Sequence, residues 1–383
     1  MLPIYLDNAA STRVTDEVLA LMTEVMRTAW GNPSAAHPQG AAARAQIETG
    51  RLRLLAALGD AGGRLGDVVW TSGCTEADAL AVLGAARVKT GDIVVSSIEH
   101  PAVGAAAARL GGEGRKVVEI APGADGVLDP DAVAEAAVDA GVVSIVMVQN
   151  EVGIVQPVAA IAAAVKQRAP GCHFHVDAAQ AFGKVPLDVS ALGADSVAIA
   201  GHKLHGPKGT GALWLKTGVN LEPLWVGGGQ QKGLRGGTQD APGAAGLGLA
   251  AERAIAALPL ARTRWLELAN HVLTTLEKRG IPFKKLVPDQ RRAPHILALG
   301  IPGVPASALR TVLSSRGVYV STGSACAERD TKPSPVLAAL GLPADVGMVR
   351  LSFGLETTAE EVDAAAAILA DVATELTGPR TPA

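Results

Sequence analysis

Positive charge is neither abundant nor gathered in this chain: 34 Lys and Arg face 37 Asp and Glu, for a formal net charge of -3. A nucleic-acid groove needs clustered cations to displace counterions, and no run of Lys or Arg offers one. Cysteine is also scarce. Cys74, Cys172 and Cys326 are odd in number and far apart, which makes no disulfide framework and suits a reducing compartment where one thiol is free for chemistry. The apolar runs are broken by Gly, Asp or Arg short of a membrane span. The opening Met1-Leu-Pro-Ile-Tyr-Leu-Asp7 lacks the basic-then-apolar order of a signal peptide. The expectation is a cytoplasmic protein that engages neither membrane nor nucleic acid. Disorder is excluded too, because 48% hydrophobic residues can fill a packed core. At 383 residues the chain exceeds what one core ordinarily serves, so a large and a smaller domain are expected.

No internal repeat or low-complexity tract is present. A first helix is predicted from Val18, Leu21, Met22, Val25 and Met26, which recur at helical spacing. Short apolar runs then alternate with Ala-rich helical stretches. Asp67–Thr71, Asp92–Ser96, Val142–Val148, His173–Asp177, Ser196–Ala200 and Ala212–Leu215 all read as strands. Runs of β-branched residues without polar alternation suit strands covered on both faces, so the fold class is α/β, a mostly parallel sheet between helices. Ligands bind such sheets at the carboxyl ends of strands. Beyond residue 260 the pattern shifts to a polar helix near Thr263–Lys278, Pro-broken strand signals around His295–Leu299 and Val318–Ser321, and a last helix opened by Thr358-Ala-Glu-Glu361. That spacing is a capping box, and the region reads as a smaller α+β domain.

Five segments are candidates for chemistry. Lys203 follows a strand within Ala200-Gly-His-Lys-Leu-His-Gly-Pro-Lys-Gly-Thr-Gly211. A lone lysine is ordinarily a solvated charge, but glycines let the backbone approach a ligand, and a buried lysine loses its proton as Schiff-base chemistry requires. His173, His175 and Asp177 share one strand face. A metal site is disfavoured there, because residues two apart on one strand diverge poorly around one ion; a hydrogen-bonded polar strand end and an anionic partner for a pyridinium nitrogen stay open. Thr71-Ser-Gly-Cys-Thr75-Glu turns from strand into helix, where unpaired N–H groups favour a phosphate or where Ser72 or Thr75 simply caps the helix. Gly227–Thr238 is Gly-rich and reads first as a plain mobile loop. Cys326 lies in Ser321-Thr-Gly-Ser-Ala-Cys326, small and polar, with Pro333 and Pro335 following. An exposed thiol near cations becomes the nucleophilic thiolate; Cys74 and Cys172 read as structural.

Taken together, these segments resemble the cysteine desulfurases of the class V aminotransferase family, in the group with the longer catalytic-cysteine loop. The match includes Tyr5-Leu-Asp-Asn-Ala-Ala10, Gly31-Asn-Pro-Ser34, Thr71–Asp78, Glu99-His-Pro-Ala-Val103, Gln149-Asn-Glu-Val-Gly153, Asp177–Lys184, His202–Gly209, Gly227-Gly-Gly-Gln230, Ser324-Ala-Cys326 and Arg350-Leu-Ser-Phe-Gly354. The resemblance implies fold type I of the pyridoxal-phosphate enzymes and a homodimer with active sites near the interface. The expected division is a large cofactor-binding domain at 12–260 and a small domain, 1–11 with 261–383, carrying the catalytic-cysteine loop. It also implies roles. Lys203 would hold pyridoxal 5'-phosphate and shuttle the Cα proton, and His100 would stack on the ring and assist. Asp177 would pair with the ring nitrogen and Gln180 with the phenolic oxygen. Thr75 and His202 would bind phosphate, with Thr238 reaching across from the other subunit. Asn150 and Arg350 would hold L-cysteine, and Cys326 would take its sulfur as a persulfide.

Three positions depart from the family pattern. Ala200 stands where a phosphate-binding Ser is usual, Gln231 where an acid is common, and Cys74 where Ala is. The rival activities on this fold are a transaminase, which has no need of Cys326, and a selenocysteine lyase. A catalytically silent sulfur-relay scaffold is a rival of another class, against which Lys203, Asp177, His100 and Cys326 all stand. Iron–sulfur assembly, tRNA or cofactor thiolation and DNA phosphorothioation would all start from this chemistry, so the acceptor stays open.

Overall fold

The computed structural model describes residues 3–323, 334–343 and 346–377. The chain opens with a short strand β1 (Ile4–Tyr5) and helices α1 (Asp16–Thr28) and α2 (Pro38–Ala57). Strands and helices then alternate: β2 (Gly66–Thr71), α3 (Cys74–Val88), β3 (Asp92–Ser96), α4 (Pro101–Gly112), β4 (Val117–Ile120), α5 (Pro130–Ala136), β5 (Ala140–Val146), α6 (Val158–Arg168), β6 (His173–Asp177), α7 (Val189–Leu192), β7 (Ser196–Ala200) and β8 (Gly211–Lys216). Among the described residues the main sheet has seven strands in the order β2-β8-β7-β6-β5-β3-β4. Every pairing from β7 to β4 is parallel, and only β8 runs antiparallel to both of its neighbours.

Period-two alternation divides each strand between two cores. Val68, Trp70, Val94, Val143, Ile145, Phe174, Val176, Val197, Ile199 and Trp214 face one apolar cluster, shared with α1, α2, α6 and α8 residues. Val69, Ile93, Val95, Val142, Ala198 and Leu213 face the other, built on α3 and α4. The sheet is therefore covered on both sides, which is why its strands lack polar alternation.

Helix α8 (Ala241–Lys278) continues through Pro259 as one element, so the helix expected only from Thr263 begins some twenty residues earlier. It is long and apolar enough to cross a membrane by length and composition. Its apolar residues are instead buried against α2, α1 and, beyond them, α11 (Ala359–Thr377). The α2 crossing is close because both partners offer glycine: a Cβ on Gly248 would stand 2.5 Å from the Gly50 Cα.

The remaining elements are β9 (Lys284–Lys285), β10 (Ile296–Pro302), α9 (Ala306–Ser315), β11 (Val318–Tyr319), α10 (Pro335–Ala339) and β12 (Val346–Ser352). A third cluster gathers Ile4, Leu6, Trp265, Leu297, Leu309, Val349 and Leu369. A fourth joins Ile98, Val146 and Ile154 to Ala298, Val336 and Met348, tying this part to the carboxyl ends of β3 and β5. The capping box closes as expected: Glu361 accepts from the Thr358 N–H at 2.9 Å and Thr358 from the Glu361 N–H at 3.2 Å. Helix α1 differs from expectation on one side. Val18 and Val25 are buried, but Met26 is 57% exposed, because it turns off the stripe that meets α8.

Candidate active site

A cavity of about 530 Å³ lies at the carboxyl ends of β5, β6 and β7. Strand β7 ends at Ala200 and a single tight turn, Gly201–Lys203, delivers Lys203 into it. The Lys203 ammonium donates to the Ala9 carbonyl. Burial, with the Arg350 guanidinium adding to it, draws this amine down to about 8, against the pull of Asp177. An amine near that value has a neutral, nucleophilic fraction at physiological pH that an ordinary lysine lacks.

Asp177 ends β6 and is buried. Its Oδ1 accepts the Ala179 N–H at 2.8 Å and lies 3.6 Å from the Cys74 sulfur. His100 caps α4, its Nδ1 accepting the Ala102 N–H at 3.1 Å. Burial lowers its proton affinity, so the neutral ring keeps its one proton on Nε2. Gln180 donates to the Ala9 carbonyl at 2.7 Å. All four side chains line the same cavity.

One end of the cavity is suited to an anion. Helix α3 begins at Gly73, which supplies no side-chain cap, so neither Ser72 nor Thr75 acts as the ordinary cap. A Cβ on Gly73 would meet nothing within 4 Å, which leaves this helix end open. Ser72, Thr75, His202 and Lys208 surround it. The close seat of α3 requires glycine on β8, because a Cβ on Gly211 would come within 2.6 Å of the Gly73 backbone. His202 is held near 4 by burial and the neighbouring Lys203, and it reaches the anion end as a neutral ring. Ala200 lies on the same wall and brings no hydroxyl.

The cavity wall also carries Arg350, buried on β12. Its Nη1 donates to the Asn150 carbonyl and its Nη2 to Asp7, each at 2.7 Å. Its Nε is buried without a partner, an unmet donor at the wall of the cavity. Arg350 also exchanges backbone hydrogen bonds with Ser321, at 2.7 and 3.2 Å. Ser334, across the segment from Ser321, donates to Glu151 at 2.9 Å. Cys326 lies between them, outside the described residues.

Eight of the expected site residues thus share one cavity: Lys203, His100, Asp177, Gln180, Thr75, His202, Asn150 and Arg350. Thr238 does not join them; it is exposed elsewhere on the chain. Cys74 corrects an expectation. It is free but lines the cavity, with burial and then Asp78 and Asp177 pushing its thiol up. Such a thiol is a weak nucleophile. Gln231 proves to be structural: its side chain accepts the Trp70 N–H on edge strand β2 at 3.2 Å and donates to Gln239 at 2.7 Å. The Ala9 carbonyl and Asp7 also belong to the site. The segment holding Ala9 and Asp7 was conspicuous in sequence but suggested no role.

Comparison with known proteins agrees with this geometry. The family model for aminotransferase class-V matches residues 4–365. A protein of Methanosarcina thermophila named cysteine desulfurase IscS is 36% identical over 379 residues, covering 97% of this chain and 92% of its own. A solved structure titled NifS-like protein superposes with a TM-score of 0.89 at 32% identity, over 97% of this chain and 99% of that one. Another, titled SspA in complex with cysteine, gives 0.78 at 31% identity over 91% and 98%.

Proposed function

The chain belongs to the class-V aminotransferase family, and on that premise we propose that it is a cysteine desulfurase that uses pyridoxal phosphate to convert L-cysteine to L-alanine. The sulfur passes to Cys326 as a persulfide for delivery to an acceptor protein. The observation that carries this reading is the cavity itself. A depressed lysine, a buried aspartate, an open helix end and a buried arginine with an unmet donor converge on one space.

The residues fit the cofactor. The open α3 terminus with Thr75 and His202 would take the phosphate, Asp177 would pair with the ring nitrogen, Gln180 with the phenolic oxygen, and Lys203 would hold the aldehyde carbon. When bound, pyridoxal phosphate supplies an electron sink for the pair released as the Cα proton leaves. The chain supplies the rest. Arg350 offers its free donor edge to the substrate carboxylate, beside Asn150. Lys203, near 8, removes and returns a proton at neutral pH. His100, with Nδ1 held by the Ala102 N–H, would offer its Nε2–H to the bound ring. Cys326, as thiolate, attacks the substrate sulfur: an S–S bond forms, the C–S bond breaks, and its electron pair goes to the carbon, which is then protonated to alanine.

The position of Ser321 makes that attack reachable. Cys326 stands five positions beyond it, at most about 18 Å of extended chain, and Ser321 is bonded to the Arg350 backbone. We further take the chain to be cytoplasmic and divided into 12–260 and 1–11 with 261–383. We take it to work as a homodimer in which Thr238 serves the second copy's cavity.

The deciding experiment is Cys326→Ser. The variant retains bound cofactor and its visible absorbance but releases no sulfide from L-cysteine in the presence of reductant. Undiminished release would remove the thiol from the mechanism.

A further inference from the structure

The cavity floor continues into a buried polar row that the reaction above does not use. On β6, His173, His175 and Asp177 point to the α3 side. Cys74 and Asp78 on α3 answer them. Residues i and i+4 of a helix are about 6.0 Å apart and i and i+2 of a strand about 6.6 Å, so the two rows stay in step. Cys74 meets Asp177 at 3.6 Å and Asp78 at 3.9 Å, and Asp78 meets His175 Nε2 at 3.2 Å. Ser196 on β7 then bridges His175 Nδ1 and His173 Nε2, each at 2.8 Å. His173 lines a separate cavity of about 260 Å³.

We propose that Asp78, His175 and Ser196 form a neutral, one-directional hydrogen-bonded row behind Asp177, leaving Asp177 as the one anion at the cofactor's ring nitrogen. Asp78 and His175 are thus positioning residues for Asp177, an assignment that rests on the pyridoxal-phosphate reading of the cavity.

Geometry decides which carboxyl holds the proton. Asp177 has the Ala179 N–H, the Cys74 thiol and nearby Lys203 to favour its charge. Asp78 has a neutral ring and the same thiol on one oxygen, while its Oδ2 is buried with no partner. Two buried carboxylates this close do not both ionise. Glu99, facing them from the end of β3, adds no cation. One of its oxygens takes Ser96 Oγ at 2.5 Å and the Val146 N–H at 2.7 Å, and burial pushes it up to about 8. Burial likewise raises Asp78, with Asp177 and Glu99 adding to it, and holds His175 near 3.

A neutral ring has one proton and a serine hydroxyl one. If Asp78 donates to His175 Nε2, the His175 proton must sit on Nδ1 and face Ser196, whose hydroxyl then donates to His173. Every proton in the row points away from Asp177.

The test has two arms. In cofactor-free protein, infrared spectroscopy at neutral pH shows protonated-carboxyl absorption from both Asp78 and Glu99; Asp78→Asn removes one component, Glu99→Gln removes the other, and Asp177→Asn leaves both. Nitrogen NMR finds the His175 proton on Nδ1. In the loaded enzyme, Asp78→Asn keeps both neutrality and a donor, so cofactor absorbance and its pH profile stay near wild type. His175→Leu strands the Asp78 hydroxyl, shifts that profile and weakens cofactor binding about tenfold; His175→Gln, which can still accept, restores much of it. The inference fails if Asp78→Asn disturbs the profile as strongly as His175→Leu, or if the His175 proton is on Nε2. Wild-type protein that takes up no pyridoxal phosphate would instead sink the cofactor reading, while the infrared arm still decides the state of Asp78.

Discussion

Replacing Lys203 with Met stabilises the cofactor-free protein near neutral pH, and the advantage fades as pH rises. Burial holds this amine at about 8 in the folded chain, whereas in the unfolded chain it returns to about 10.4. Below about pH 8 both states carry the proton, and the folded state bears the full cost of a desolvated ammonium. Between about 8 and 10.4 only the unfolded chain holds it, so folded stability climbs with pH. The gap of roughly 2.4 units corresponds to roughly 3 kcal/mol. Met removes that titration and also the hydrogen bond to Ala9, a loss of about 1 kcal/mol. The variant is therefore the more stable by about 2 kcal/mol at about pH 7, and level with wild type or slightly behind by about pH 10. Urea unfolding of both cofactor-free proteins across that range measures the gap. A difference independent of pH would refute the reasoning, because it would place an ordinary, solvated lysine at position 203.

Two further substitutions probe the cavity and the frame around it. Ala200→Ser restores a hydroxyl on a wall that is 1% exposed. A charge-assisted bond to phosphate worth about 1.5–3 kcal/mol tightens pyridoxal-phosphate binding by about tenfold to a hundredfold. Equilibrium cofactor titration reads it, and unchanged affinity would place the phosphate away from Ala200. Thr358→Ala opens the capping box of α11 and lowers unfolding free energy by about 1 kcal/mol. Turnover stays unchanged, and a loss of activity would show that α11 carries more than the frame.

How far the sequence reveals this site depends on whether the determinants are local. β-branched runs announce buried strands, and the strand-end rule then brings Asp177 and Lys203 to one edge of the sheet, because parallel neighbours end together. Gly73 and Gly211 reveal their purpose only when a helix end is set against a strand edge. Strand β4 escapes the pattern: at the sheet's end Val117, Val118 and Ile120 are half buried and Glu119 is exposed, which leaves no continuous apolar run. Helix α8 hides its beginning, since its first turns are Gly- and Ala-rich to let α2 approach, which reads as weak helix in isolation. Cys74 is the instructive case. In sequence it is a small residue in a helix's first turn, with nothing to separate it from a packing thiol. Its place between Asp78 and Asp177 follows from a pitch match between α3 and β6, which no window along the chain contains. Of the residues proposed for cofactor and substrate, those at element ends are legible: Asp177 ends a strand, Lys203 follows one, and Thr75 and His100 stand where helices open. Those that hold the first set in their charge states lie deeper along the same elements, and only the register between elements discloses them.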